Sequence, residues 1–317
     1  MNGPAIEARA LSKQFGDFVA VEGVSFAVAQ GEVFGLLGPN GAGKSTAIRM
    51  LCGILAPSGG EARVAGHDIS REPEVVRARI GYMSQRFSLY LDLTVSENLD
   101  FYGGVYGLSP ERVRQRKAWA FEMAGLEEHR DRLTGELSAG WRQRLALGCA
   151  LLHQPQVIFL DEPTAGADPI SRRRFWEIIY HLASDGVTAL VSTHYMDEAE
   201  RCDRVGLMHA GRLIALGRPE ELKRAHASES LVAVYCDRPA RAAAALQAVE
   251  GVKHARLHGA GLHVQVAHSK GAAERLTQAL RGAGIRVERA EPVEASLEDV
   301  FVSLTREADA RLAAEAA

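Results

Sequence analysis

An α/β fold with a mainly parallel sheet, followed by a smaller α+β unit, is the fold class this sequence predicts, and three observations carry it. Short runs of the buried-strand type, EVFGLLG, RIGYMSQ, QVIFLDE and TALVSTH, alternate with segments of helical period. That is the pattern of parallel strands joined by helices that cover both faces of a sheet. Ahead of them, IEARALSKQF and FVAVEGVSFAV alternate apolar and polar residues around Gly16 and Asp17, as an antiparallel pair does. Beyond residue 226 the composition shifts and a second order of elements begins.

In chain order, the antiparallel pair fills Ile6 to Val28 and the strand EVFGLLG comes next. From Phe87 to His153 the strand signal vanishes. There Thr94 and Glu97 form a capping-box pattern before NLDFYGGVYGL, and PERVRQRKAWAFEMAGL continues in helical period. The segment is expected to be a helical insert, about residues 87–153, within the α/β domain. After TALVSTH, the stretch RVGLMHAGRLIALG places Ala210 and Gly211 where a hairpin turn belongs. The linker is expected at HASES, residues 226–230, which divides the chain into domains 1–227 and 228–317. In the second, LVAVYC, ARAAAALQAV, VKHARLH, LHVQVAH, GAAERLTQALRGAG and IRVERAEP read as strand, helix, two strands about Gly259 and Gly261, helix, strand. This is the order of a ferredoxin-like sandwich. A last helix, SLEDVFVSLTREADARLAAEAA, is expected to fray into an Ala-rich tail.

Composition narrows the function. The 317 residues carry 37 Lys+Arg against 40 Asp+Glu, a formal net charge of −3, which gives no strong field for nucleic acid. The longest apolar stretches, LALGCALL and QVIFL, are separated by His153, Gln154 and Pro155 and fall short of the roughly 20 residues a membrane helix needs. The start MNGPAIEARA has an early Glu7 and no apolar segment, so no secretory signal is expected and the chain is placed in the cytoplasm. Cys52, Cys149, Cys202 and Cys236 lie far apart without C-x-x-C pairing, so a zinc site or disulfide framework is not expected.

The strongest local signal is GPNGAGKST, Gly38, Pro39, Asn40, Gly41, Ala42, Gly43, Lys44, Ser45 and Thr46, set between the strand EVFGLL and the helical TAIRMLCGIL. Gly41 and Gly43 let backbone N–H groups surround a phosphate, Lys44 reaches the β- and γ-phosphates, and Ser45 offers a hydroxyl to Mg²⁺. The next helix turns its positive end to the same anion. Such a cradle serves a kinase, a GTPase or an ATPase alike. No lysine comes directly after an asparagine, so the N-K-x-D element of guanine recognition is missing. The buried strand VIFL ends in Asp161 and Glu162, at the carboxyl edge of the sheet where such folds bind ligands. Asp161 is suited to hold Mg²⁺ and Glu162 to orient or deprotonate a water attacking the γ-phosphoryl group. LSAGW, residues 137–141, opens a helix as either a plain cap or a grip on phosphate.

Taken together, GPNGAGKST, Gln85 ending RIGYMSQ, LSAGW, VIFLDEP and His194 ending TALVSTH resemble the ATP-binding cassette of ABC transporters, from residue 5 to about 225. The resemblance implies a P-loop NTPase cassette: a mainly parallel sheet, an antiparallel β subdomain and a helical insert, with ATP and Mg²⁺ as cofactors. It makes Phe15 the ring stacked on adenine, Gln85 the amide at Mg²⁺ and water, and His194 the hydrogen-bond donor to the γ-phosphate. Phe15 also reads as a core aromatic between strands. Asp168 in AGADP falls in the loop that touches the partner cassette, and it also suits a cap for PISRRRFWEIIYHLA. LSAGW stands at the Leu-Ser-Gly-Gly-Gln signature, so Ser138, Ala139 and Gly140 are expected to hold the nucleotide of an opposite cassette, identical or paralogous. Ala139 replaces a glycine, which costs little unless its φ is positive. Trp141 replaces the glutamine, and its stripe with Leu145, Cys149 and Leu152 also suits core packing.

The resemblance further implies an ATP-hydrolysing subunit, peripheral on the inner face of the cell membrane, that drives a separate integral membrane permease and does not act on nucleic acid. RFSLYLDLTV, with Phe87, Leu89 and Tyr90, is expected to flank the groove that receives the permease, or to pack the insert. The ending SLEDVFVSLT and the small second domain resemble cassettes of bacterial exporters of drugs, antibiotics, lipids or polysaccharides. The alternative is an ABC ATPase acting on nucleic acid or the ribosome. It is disfavoured because residues 87–137 are too short for a coiled coil and only one set of motifs is present.

Overall fold

A computed structural model describes residues 3–86, 88–226, 230–267 and 271–315. The chain divides into two compact units, Met1–Arg218 and Pro219–Ala317. The expected boundary at 227/228 lies outside the described residues, and Pro219–His226 belongs to the second unit.

The first unit opens with β1 (Ile6–Phe15) and β2 (Phe18–Val28), then β3 (Val33–Leu37) and α1 (Lys44–Leu51). Next come β4 (Gly59–Val64), β5 (His67–Asp68), α2 (Pro73–Arg79) and β6 (Ile80–Met83). The helical insert holds α3 (Val95–Val105), α4 (Pro110–Ala124) and α5 (Ala139–Leu151). The unit closes with β7 (Val157–Asp161), α6 (Pro169–Ser184), β8 (Thr188–Thr193), α7 (Met196–Ala199), β9 (Arg204–His209) and β10 (Arg212–Gly217).

The central sheet has the order β10-β9-β3-β8-β7-β6, parallel except for β10. Strands β3, β7 and β8 are buried at every position, which is why they read as continuous apolar runs. Ala210 and Gly211, both at positive φ, make the β9–β10 turn, as the hairpin signal required. A second sheet, β2-β1-β4-β5, is antiparallel and larger than the pair expected. The added strand β4 owes its state to pairing with the distant β1, and β5 to pairing with β4, and GGEARV carries too short an alternation to announce it. The core between the sheets gathers Ile6, Leu11, Val28, Phe34, Ile48 and Phe159 around α1.

In the insert, Thr94 and Glu97 form the capping box: the Glu97 N–H donates to Thr94 Oγ1 at 3.2 Å and the Thr94 N–H to Glu97 Oε2 at 2.8 Å. Its own core holds Leu99, Phe121, Leu145, Cys149 and Leu152, with Leu89 and Trp141 packed against it. Leu89 thus packs the insert. Tyr90 is exposed against the edge of Phe101, and Phe87 lies outside the described residues.

In the second unit α8 (Pro219–His226) precedes β11 (Ser230–Cys236), α9 (Pro239–Leu246), β12 (Val252–His258), β13 (Gly261–Val266), α10 (Ala272–Gly282), β14 (Val287–Val293) and α11 (Leu297–Glu315). The antiparallel sheet order β12-β13-β11-β14 is that of a ferredoxin-like sandwich, with Ala242, Leu246, Leu276 and Leu280 of its two helices in the core.

Candidate functional site

Four neighbouring parallel strands, β3, β8, β7 and β6, deliver their carboxyl ends to one edge of the central sheet. The register pairs Leu37 with Thr193, Asp161 with Ser192 and Met83 with Leu160, so the segments leaving these strands meet at one level. Those segments are the 38–46 loop, His194, Glu162 and Gln85.

The loop needs its glycines. A Cβ on Gly38 would stand 2.3 Å from the Met208 carbonyl oxygen, and one on Gly43 2.4 Å from that of Ala20. Gly43, at φ 99°, is also the N-cap of α1 and supplies no capping side chain, so the first N–H groups of α1 are left for an anion. Lys44 folds over the loop. Its buried Nζ donates to the carbonyl oxygens of Gly38 at 2.7 Å and Pro39 at 3.0 Å, and lies 3.3 Å from Glu162 Oε1.

Glu162 is the hub of the site. Its Oε2 accepts from Gln85 Nε2 at 3.3 Å, and His194 Nδ1 stands 3.3 Å away without the alignment of a hydrogen bond. At φ 49° its backbone is left-handed, a conformation costing a non-glycine residue about 1–3 kcal/mol and found where function fixes a side chain. The Glu162 N–H is held by Ser192, through its carbonyl oxygen at 3.2 Å and its hydroxyl at 3.0 Å.

Asp161 is fully buried, and its Oδ1 accepts from Ser45 Oγ at 2.9 Å and Ser192 Oγ at 2.6 Å. Its Oδ2 has no partner. An orphaned buried carboxylate oxygen beside a serine hydroxyl and a phosphate loop fits Mg²⁺, which takes one or two carboxylates and completes its shell with phosphates and water. Groups of three or more His, Cys, Asp or Glu able to hold a metal are absent among the described residues.

The residues of the LSAGW segment form a separate place in the same unit. Ser138 precedes α5, is exposed, and makes no side-chain cap. Its hydroxyl is therefore free to meet something else. Ala139 starts α5 and is not among the described residues with positive φ, so its methyl brings no backbone strain. Gly140 packs against α6, where a Cβ would come within 2.4 Å of Ser171 Oγ. That contact sets the segment beside Asp168, whose carboxylate accepts the N–H groups of Ile170 and Ser171 at 3.0 Å each. Hydrogen bonds from Ser171, side chain and backbone, hold the Asp168 carboxyl below its usual range. Trp141 packs edge-on to His129 with the Arg144 guanidinium 3.6 Å over its ring, so its indole serves the insert.

Phe15 is 48% exposed at the tip of the β1–β2 hairpin, with Lys13 Nζ 5.2 Å from its ring, and is not a core aromatic. All four cysteines are free and buried, and burial pushes the Cys52, Cys149 and Cys202 thiols up, which leaves them poor nucleophiles. Ser192 lies in TALVSTH but was given no role of its own, although a hydroxyl near the end of that buried strand, two residues before His194, is a signal for it. No helix among the described residues is long and apolar enough to cross a membrane.

Comparison with known proteins agrees with this geometry. The ABC transporter family profile matches residues 21–165, and that of the C-terminal domain of DrrA1-3-like ATP-binding proteins matches residues 217–305. The chain is 51% identical over 224 residues to the probable multidrug ABC transporter ATP-binding protein YbhF of Escherichia coli K12; the match takes 71% of this chain and 39% of that protein. The chain therefore spans about two fifths of that relative's length. It is 40% identical over 318 residues to the daunorubicin/doxorubicin resistance ATP-binding protein DrrA of Streptomyces peucetius, covering 99% of this chain and 96% of the relative. Among solved structures, the dimeric post-hydrolysis state of the cassette MJ0796 bound to ADP and Pi superposes with a TM-score of 0.62 at 26% identity, over 67% of this chain and 98% of that one. With a relative matched from end to end and a phosphate loop, paired acids and histidine gathered on one sheet edge, the chain belongs to the ABC transporter family of ATP-binding proteins.

Proposed function

We propose that this chain binds and hydrolyses ATP between two cassettes and thereby drives a separate membrane permease, in export. The observation that carries the chemistry is the convergence of Lys44, Gln85 and His194 on Glu162, next to the unpartnered oxygen of Asp161. Mg²⁺, held by Asp161 and Ser45 with Gln85 at its edge, would neutralise charge on the phosphates. Lys44 would leave the Gly38 and Pro39 carbonyls for the β- and γ-phosphates. Glu162, released from Lys44, would take the proton of the attacking water as its oxygen bonds to the γ-phosphorus and the bond to the β,γ-bridging oxygen breaks. His194 would hydrogen-bond the transferred group and Phe15 would stack on adenine.

The opposite face of the nucleotide is the task proposed for Ser138, Ala139 and Gly140 of a second cassette, with Asp168 in the loop between them. The unused Ser138 hydroxyl supports this, as does the dimeric ADP- and Pi-bound cassette that the chain resembles. For the permease, Tyr90, Leu91, Phe101 and Val105, each more than two fifths exposed, offer apolar surface on the insert. The relative's name, daunorubicin/doxorubicin resistance, supports export, and a permease partner would place the chain on the inner face of the membrane.

Calorimetry with ATP tests the phosphate-loop assignment. Lys44→Ala removes a charge-assisted contact worth about 1.5–3 kcal/mol, so ATP affinity should fall ~10-fold or more. Unchanged affinity and turnover would contradict it. The second unit should be dispensable for nucleotide binding, because every proposed site residue precedes Arg218. A fragment ending at Arg218 is expected to fold and bind ATP; a folded fragment without affinity for ATP would refute that division.

A further inference from the structure

We infer that Glu198 is a positioning residue that holds Glu162 and His194 in register, an inference that rests on the catalytic roles proposed above. Glu198 lies in α7, four residues beyond His194, and its side chain is fully buried. A buried carboxylate is costly unless every oxygen is engaged. Here its partners all come from the segments that carry the proposed chemistry. Oε2 accepts the Thr193 hydroxyl at 2.7 Å, and Thr193 Oγ1 in turn accepts the Tyr195 N–H at 3.0 Å, which pins the turn on either side of His194. Oε1 accepts the hydroxyl of Thr164, two residues past Glu162. Arg172 Nε, in the helix that Asp168 caps, stands 3.2 Å from the same oxygen, with its guanidinium 4.4 Å over the Tyr195 ring.

One side chain therefore adds a second tie between the turn around His194, the segment after Glu162 and helix α6, beyond the Ser192 contacts to the Glu162 N–H. The left-handed backbone of Glu162 makes this significant. The segment it opens closes on itself through Ala165 N–H to Glu162 O at 3.2 Å and Ala167 N–H to Thr164 O at 3.0 Å, and Thr164 is its attachment to Glu198. Releasing that attachment lets the carboxylate drift relative to His194. A misplacement of about 1 Å in a catalytic constellation costs on the order of 10²-fold in rate.

The test compares parent, Glu198→Ala and Glu198→Gln for kcat, KM for ATP and calorimetric ATP affinity, each per folded molecule. Glu198→Ala should lose at least ~10-fold in kcat with KM and ATP affinity little changed, the pattern of a defect confined to the chemical step. Glu198→Gln should recover most of the loss, since its amide can accept from one threonine and donate to the other. An alanine variant that turns over like the parent while its melting temperature falls would overturn the inference and leave a merely structural carboxylate. Should Glu198→Ala not fold, Thr193→Val and Thr164→Val decide, because each removes one hydroxyl at nearly constant volume. Lowered kcat with ATP affinity retained supports positioning, and parental kcat in both overturns it. A parent that neither binds nor hydrolyses ATP would reject the site assignment itself, an outcome distinct from an active parent with an equally active alanine variant.

Discussion

Glu162→Gln is expected to keep ATP and accumulate a closed two-cassette form while turnover falls at least ~100-fold, the lower range for loss of a general base. An amide has nearly the shape of the carboxylate and can still meet Gln85, but it cannot take a proton from water. It also loses the charge that draws Lys44 to within 3.3 Å, so Lys44 is freed for the phosphates and affinity for ATP should not drop. Calorimetry, phosphate release and size-exclusion chromatography with ATP measure the three parts separately. A variant that hydrolyses near the parental rate would remove Glu162 from the chemistry.

Ser138→Arg is expected to be as severe by a different route. In the structure Ser138 makes no cap for α5, so its loss should cost little stability, where a true capping serine is worth roughly 1 kcal/mol. Thermal melting should therefore leave Ser138→Ala and Ser138→Arg close to the parent. Turnover and ATP-driven dimerisation should both fall, modestly for alanine and to near background for arginine, whose long cation would fill the space proposed for the partner's γ-phosphate. A destabilised variant with parental turnover per folded molecule would return LSAGW to the status of a helix start.

Most of the site was legible because each motif sits at a strand end, and parallel strands bring their ends to one edge whatever their separation in sequence. Lys44, Asp161, Glu162, Gln85 and His194 come together for that reason. The stripe of Trp141, Leu145, Cys149 and Leu152 was legible too, and those residues pack in the insert. Other features depend on tertiary pairing that leaves no local trace. The left-handed φ of Glu162 is imposed by Ser192 and the turn beyond it, and nothing in VIFLDEP announces it. Glu198 stands in MDEAE, which reads as a solvated acidic turn, yet the neighbouring Thr193 and the distant Thr164 enclose it. The strand β4 exists through β1, more than 40 residues earlier for Ile6 and Val64.

The composite site between two copies is tested most directly by mixing Ser138→Arg subunits with Lys44→Ala subunits carrying a second tag, and isolating the pair that bears both tags. In that pair one site receives both lesions and the other neither. The nucleotide retained per pair and the turnover on ATP are then measured together. The proposed composite site predicts one tightly held ATP per pair and turnover above that of either variant alone. Retention of no ATP, with turnover no greater than the sum of the two separate variants, would contradict a nucleotide gripped by Lys44 of one chain and Ser138 of the other.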